Sequence, residues 1–309
     1  MTYTYIDQHT PNISHPAVVA CIGYFDGMHI GHQELLKKTV ELAHLYNVQA
    51  GLITFEPDPW VPLYNIPKDR LEHITTMAQR LHIAHVFGIE QMFILRFTKD
   101  MSQLSADAFV QNVLAKISLK GFVCGFDFHY GAGGKGNVDT LRKSLPCPVA
   151  VIEEVQYQGQ KISSTRIVSL IKEGDVAAAA QMMNRPFAIC GKVIHGEHNG
   201  TAMGMPTANV AVDAEYVKPL TGVYAGYAIV QGIAYPAMIN YGHNPTVHYL
   251  QNESLEAHII GLDKDLYAQE ITVQFVRFLR HEKQFSSIAE LKKQLSQDRR
   301  MILKILEEE

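Results

Sequence analysis

Residues suited to phosphate chemistry concentrate in Gly23-Tyr24-Phe25-Asp26-Gly27-Met28-His29-Ile30-Gly31-His32. This stretch lies between an apolar run and a helical pattern, where an α/β fold binds ligands at the carboxyl ends of its strands. Gly27 and Gly31 let backbone approach a phosphate, and a helix start offers unpaired N–H groups and partial positive charge. His29 and His32, three apart, are placed to face one polyphosphate. There they would stabilise negative charge developing on an α-phosphate and pyrophosphate during in-line attack. Two surface histidines in a turn is the plainer alternative. Zinc is disfavoured, because such sites want three or four ligands and no further His or Cys cluster stands at suitable spacing.

A second stretch, Lys161-Ile162-Ser163-Ser164-Thr165-Arg166-Ile167, also precedes a helical pattern. Its hydroxyls and N–H groups, beside Arg166, make an anion-binding surface; an ordinary Ser/Thr helix cap is the alternative. In the C-terminal half, Gly191-Lys192-Val193-Ile194-His195-Gly196 is followed by Gly200 and by Gly204-Met205-Pro206-Thr207-Ala208-Asn209. Glycines so spaced leave a loop that can wrap a diphosphate with backbone N–H groups. Thr207 and Asn209 are two apart, so in a strand they share a face. A hydroxyl and an amide oxygen there suit Mg²⁺, a hard cation that shares phosphate oxygens; a polar turn is the alternative. Glu256 interrupts the apolar pattern of Leu255-Glu256-Ala257-His258, and the bland reading of it is a solvent-facing strand position.

The elements that must hold these residues differ between the two halves. Strand patterns at 17–22, 49–55, 121–126 and 149–155 alternate with helical patterns at 33–46 and 106–117, which predicts a parallel sheet with crossover helices. Helical stretches at 165–173 and 176–183 lead to Arg185-Pro186, a boundary that divides the chain into domains 1–184 and 185–309. Strand patterns at 191–196, 208–212, 222–230, 234–240, 254–262 and 270–279 then predict a small closed six-stranded barrel. A terminal helix follows, with Ser287 and Glu290 at capping-box spacing and Leu291, Leu295 and Ile302 on its apolar side.

Composition agrees with two folded domains: 309 residues, 47% hydrophobic and 19% charged. A formal net charge of −4 argues against a general nucleic-acid binder. Cys21, Cys124, Cys147 and Cys190 form no metal-type pair and are expected as buried reduced thiols. With no basic-then-apolar leader and no apolar run of membrane-spanning length, the expectation is a soluble cytoplasmic protein with no membrane partner and no evident protein partner.

The first two stretches resemble the HxGH and ISSTxxR signatures of the nucleotidyltransferase superfamily. The fuller form GxFDGxHxGH resembles the N-terminal module of bacterial bifunctional riboflavin kinase/FMN adenylyltransferases, and the resemblance runs the length of the chain. It implies a Rossmann-like N-terminal domain in which Gly23, Phe25, Asp26, Gly31, His29, His32, Ser164, Thr165 and Arg166 serve the nucleotide. Asp127, in Gly125-Phe126-Asp127-Phe128-His129-Tyr130-Gly131, matches the position that contacts nucleotide or flavin. In the C-terminal half the resemblance implies a riboflavin kinase barrel in which Thr207 and Asn209 hold Mg²⁺. Lys192, His195, Gly196, Gly204, Pro206 and Asn240 line its substrate sites, and Glu256 accepts the proton of the riboflavin 5′-hydroxyl. Arg280 and Phe285 would flank the flavin side. ATP would be the co-substrate, and riboflavin, FMN and FAD the substrates and products.

There are departures. Asp58 stands where the family reads FEPHP, Val168 where it carries an arginine after the ISST segment, and Gly200-Thr201 where many members have Gly-Arg. A lost guanidinium at a triphosphate is not conservative, so a kinase with a weakly active or regulatory N-terminal module is the alternative. The HxGH motif also occurs in class I aminoacyl-tRNA synthetases, a more distant alternative.

Overall fold

The computed structural model describes residues 2–11, 13–67, 70–195, 205–212, 215–243 and 253–308. Packing divides the chain into two compact units, Met1–Ser164 and Thr165–Glu309.

In the first unit the strands are β1 (Thr2–Ile6), β2 (Val18–Ile22), β3 (Gln49–Phe55), β4 (Gln91–Leu95), β5 (Leu119–Gly125) and β6 (Val149–Ile152). They form one parallel sheet in the order β1-β4-β3-β2-β5-β6. Both faces of this sheet are covered, as all-parallel sheets require. Along β2, Val18, Ala20 and Ile22 enter one core with Phe93, Phe109 and Leu141, whereas Val19 and Cys21 enter the other with Leu36, Leu52 and Met92. Helix α1 (Ile30–Leu45) packs on the second face through Leu35, Leu36 and Ala43.

The predicted parallel sheet is present, with two strands that periodicity did not reveal. β1 is a short edge strand whose side chains are mostly open to solvent, and β4 is five buried residues without alternation. A short, wholly buried run cannot be told from a helix segment by period alone. Helix α2 (Trp60–Tyr64) and helix α3 (Met77–Val86) are likewise additions to the expected elements, and Thr76 and Gln79 form a reciprocal capping box at the start of α3. Of the helix expected at 106–117, only Ala106–Asn112 is α-helical; a tighter turn at Leu114–Lys116 completes it.

The second unit begins with two helices, Ser164–Glu173 (its first residue still in the first unit) and Val176–Met183. Strands Phe187–Ile194, Ala208–Val210, Gly222–Val230, Ile233–His243, Glu253–Ile259 and Glu270–Arg280 close into an antiparallel barrel. The first of these starts four residues before the expected 191, because Phe187 and Ile189 pair with Phe275 and Val273 and are buried there. The terminal helix Ile288–Glu307 packs Ile302 and Leu295 against Val223, Ala225 and Met238. Its cap differs from expectation in one arm. Ser287 Oγ accepts from Glu290 N–H at 3.2 Å, but the Glu290 carboxylate reaches back to Ser286 N–H at 2.9 Å.

Candidate functional sites

Residues 23–29 turn the chain from β2 into α1. Gly27 has φ +72°, and an added Cβ would stand 2.8 Å from Ile74, so both conformation and space require glycine. His29 caps α1: its Nδ1 accepts from His32 N–H at 3.3 Å. In the neutral ring the proton therefore sits on Nε2. The His29 and His32 rings stack with centroids 3.7 Å apart at 13°. Gly31 permits this, since its missing Cβ would lie 3.2 Å from the His29 ring. Two imidazoles thus sit together at a helix N-terminus, an arrangement suited to a polyphosphate.

The other expected contacts of this motif have different geometry. Asp26 is 4% exposed, and its carboxylate is bonded to protein: Ile74 N–H (3.2 Å), Thr75 N–H (3.0 Å), Thr75 Oγ1 (3.1 Å) and Arg80 Nη2 (3.4 Å). Phe25 is fully buried, its ring 5.1 Å from that of His32. The Phe25 side chain and the Asp26 carboxylate therefore shape the turn from behind. Gly23 leaves room for the Phe25 ring, 3.2 Å from where a Cβ would be. Ser164 Oγ donates to the Asp26 carbonyl at 2.9 Å, which ties the second motif to the first. Thr165 and Arg166 follow in the first turn of that helix. Asp127, just past β5, is exposed and paired with Lys161, whose ammonium also lies 5.0 Å from the centre of the Phe126 ring.

In the barrel, strand register assembles the second site. Asn209 lies opposite Glu256, and Glu256 lies opposite Asn240, so all three share one face across three neighbouring strands. Thr207 Oγ1 donates to Glu256 Oε2 at 3.3 Å. His258 Nδ1–H donates to the Pro206 carbonyl at 2.9 Å and holds the entry to the Thr-Ala-Asn segment.

Two clefts meet here. One, of about 410 Å³, is lined by His195, Pro206, Thr207, Asn209, Lys264 and Tyr267 among others. The other, of about 290 Å³, includes Thr207, Asn240, Glu256, Arg280, Phe285 and Leu295. Thr207 borders both. In the first cleft the His195 and Tyr267 rings stack at 3.7 Å. Lys192 lines a separate open groove with Cys190 and Glu270. Gly196, Gly200, Thr201 and Gly204 lie outside the described residues.

Residues 11–166 match the FAD synthetase family and residues 183–306 the riboflavin kinase family. A Listeria monocytogenes bifunctional riboflavin kinase/FMN adenylyltransferase is 34% identical over 91% of this chain and 90% of its own. The proteins of the same description from Bacillus subtilis and Escherichia coli K12 are each 32% identical, with the same coverage. The chain belongs to the bifunctional riboflavin kinase/FMN adenylyltransferase family. A solved Streptococcus pneumoniae structure described as a macrolide-efflux protein is 28% identical, with a TM-score of 0.90 over 98% of this chain and 99% of that one. Among the described residues, no helix is long and apolar enough to cross a membrane.

Within this family frame, sequence reasoning missed Arg80, His73, His258 and Tyr267. Arg80 is 3% exposed. It donates to the Thr75 carbonyl at 3.1 Å and the Tyr24 carbonyl at 3.4 Å, and its guanidinium lies 4.6 Å from the Tyr24 ring centre. The Thr76–Gln79 capping-box spacing could have marked its helix. No local pattern pointed to His73 or Tyr267.

Proposed function

We propose that this protein makes FMN from riboflavin and ATP in its barrel, and FAD from FMN and a second ATP in its N-terminal unit. The observation that carries the kinase half is Thr207 on the border of two clefts, hydrogen-bonded to Glu256. Riboflavin occupies the cleft of Glu256, Asn240 and Phe285, and ATP the cleft of His195, Asn209 and Tyr267. Glu256 accepts the 5′-hydroxyl proton as that oxygen attacks the γ-phosphorus. Thr207 and Asn209 offer hard oxygens that fit Mg²⁺, which when bound supplies charge neutralisation at the phosphates. Asn240 and Arg280 orient the flavin side. Pro206, its carbonyl held by His258, sets the entry to the Thr-Ala-Asn segment.

In the N-terminal unit the FMN phosphate attacks the α-phosphorus of ATP, and pyrophosphate leaves. His29 and His32 hold the phosphates at the start of α1, a role supported by their stacking at that helix N-terminus. Ser164, Thr165 and Arg166 contribute hydroxyls and charge, and Asp127 borders the nucleotide or flavin. Gly23 and Gly31 allow close backbone approach. No strong base is required, because a phosphate is already ionised.

The functional modules are residues 1–184 and 185–309, a division supported by the start of the riboflavin kinase match at residue 183. A cytoplasmic setting fits ATP as co-substrate and four free cysteines.

The test is purified protein with riboflavin, excess ATP and Mg²⁺, with FMN and FAD quantified over time. FAD appearing after FMN supports both sites. FMN alone supports the second reading, a kinase whose N-terminal module transfers AMP poorly, which Val168 in place of the family arginine favours. Absence of both products would refute the proposal.

A further inference from the structure

We propose that Asp58 and His73 are a positioning pair for adenylyl transfer, acting through the segment behind the phosphate turn. The inference rests on the adenylyltransferase reading above. Asp58 stands where the family reads histidine, and a carboxylate there would read as a lost function. Instead its Oδ2 lies 2.6 Å from His73 Nε2, with the two side chains 10% and 12% exposed. Such a pair is costly to leave half-made in a buried setting.

From His73 the connection runs without a break to the site. Ile74 and Thr75, the next two residues, donate their N–H groups to the Asp26 carboxylate. Thr75 Oγ1 accepts from Gly27 N–H at 2.9 Å. Arg80 closes the bracket by bonding the Tyr24 carbonyl and the Asp26 carboxylate. The far side of the turn is held by Ser164 on the Asp26 carbonyl. Asp58 itself comes from the loop after β3, whose end carries Thr54, bonded to the Tyr24 carbonyl at 3.2 Å. The turn that presents His29 is therefore fixed to segment 73–80, and the Asp58–His73 pair fixes that segment to the loop after β3. The Tyr24 hydroxyl lies beside the Asp58 carboxylate, outside hydrogen-bonding geometry, and the Trp60 ring meets the Tyr24 ring edge-on at 6.3 Å.

Asp58 and His73 lie outside the turn and the helix start that would hold phosphate, so their effect is on its placement. Small misplacement of a transition-state contact lowers kcat more than it weakens substrate binding. In the full-length protein, D58A and H73A are each expected to lower kcat for FAD formation from FMN by about tenfold, with KM for FMN and ATP within about twofold. The double variant should be no slower than the slower single, the mark of two residues acting as one. The reversed pair, D58H/H73D, and the conservative D58E should each recover most of the loss. Riboflavin kinase activity of the same preparations and the thermal unfolding of Trp60 fluorescence serve as controls for folding.

Single variants with wild-type kcat would overturn the proposal. So would losses that multiply in the double variant, or folded D58H/H73D and D58E proteins as slow as D58A. If a single variant unfolds its N-terminal unit, the reversed pair and D58E decide alone, and failure of both to fold also overturns it. Wild-type protein that forms no FAD would instead refute the adenylyltransferase reading.

Discussion

The Thr207 hydroxyl donates to the Glu256 carboxylate at 3.3 Å, across 49 residues of sequence, at the border between two clefts. This places the expected general base beside an expected metal ligand. E256Q keeps the shape and removes the basic oxygen. It should lower FMN formation by roughly 10²- to 10⁴-fold, while FAD formation from supplied FMN stays at the wild-type level. The same chromatographic assay, started from riboflavin or from FMN, reads both.

Thr207 and Asn209 are expected to set the metal requirement of the kinase alone. T207V and N209L should raise the Mg²⁺ concentration that half-saturates FMN formation. FAD formation from FMN in the same preparations should keep its Mg²⁺ dependence. Titration of both reactions with Mg²⁺ at fixed ATP separates this outcome from a general loss of fold.

His29 does two things, and one substitution can separate them. Asn is a good helix cap, so H29N should retain a side-chain acceptor for His32 N–H while removing the imidazole donor. FAD formation should fall by roughly 10²- to 10³-fold, the usual loss for one charge-stabilising donor, with helix content by circular dichroism unchanged. Near-wild-type turnover in H29N would assign His29 to capping alone.

The terminal helix is held to the barrel by a buried pair. Arg280 Nε and Nη2 donate to Asp298 Oδ2 at 3.0 and 2.7 Å, while Gln294 donates to the other oxygen at 2.8 Å. Asp298 is 2% exposed. D298A strands a guanidinium that lines the Glu256 cleft and should destabilise the second unit by about 2–4 kcal/mol, somewhat below the fully buried case. Urea unfolding followed by circular dichroism measures this, and the KM for riboflavin should rise.

Asp58 also predicts a pH dependence of stability. Burial would raise its pKa, but the hydrogen bond of His73, the Tyr24 hydroxyl beside it and the charges of His73 and Arg80 outweigh burial and hold the carboxyl below its ordinary 3.8. A group depressed in the folded state contributes stability that is fully present above the unfolded value and lost as pH falls through the folded one. The stability difference between wild type and D58N should therefore be constant near neutrality and shrink below about pH 4. Urea midpoints read by Trp60 fluorescence across that range test it.

The sequence by itself determined the site motifs and the class of each half. His29, His32, Thr207 and Asn209 are readable because helix starts and strand alternation are local, and a few residues of spacing settle which side chains share a face. The order of elements likewise specified a parallel sheet and then a barrel, since apolar runs alternating with helical patterns, and then strand patterns in series, are legible along the chain. Tertiary structure decided the rest. Phe25 and Asp26 belong to the motif by spacing, yet packing turns the Phe25 ring inward and spends the Asp26 carboxylate on Thr75 and Arg80. Asp58 reads as a lost histidine until the fold brings His73, fifteen residues on, to 2.6 Å. Strand alternation alone leaves Glu256 open between a solvent-facing position and the base that the family resemblance implies; register sets it between Asn209 and Asn240. These relationships join residues far apart in the chain, and their distances depend on how strands pair and loops pack, which no local period encodes.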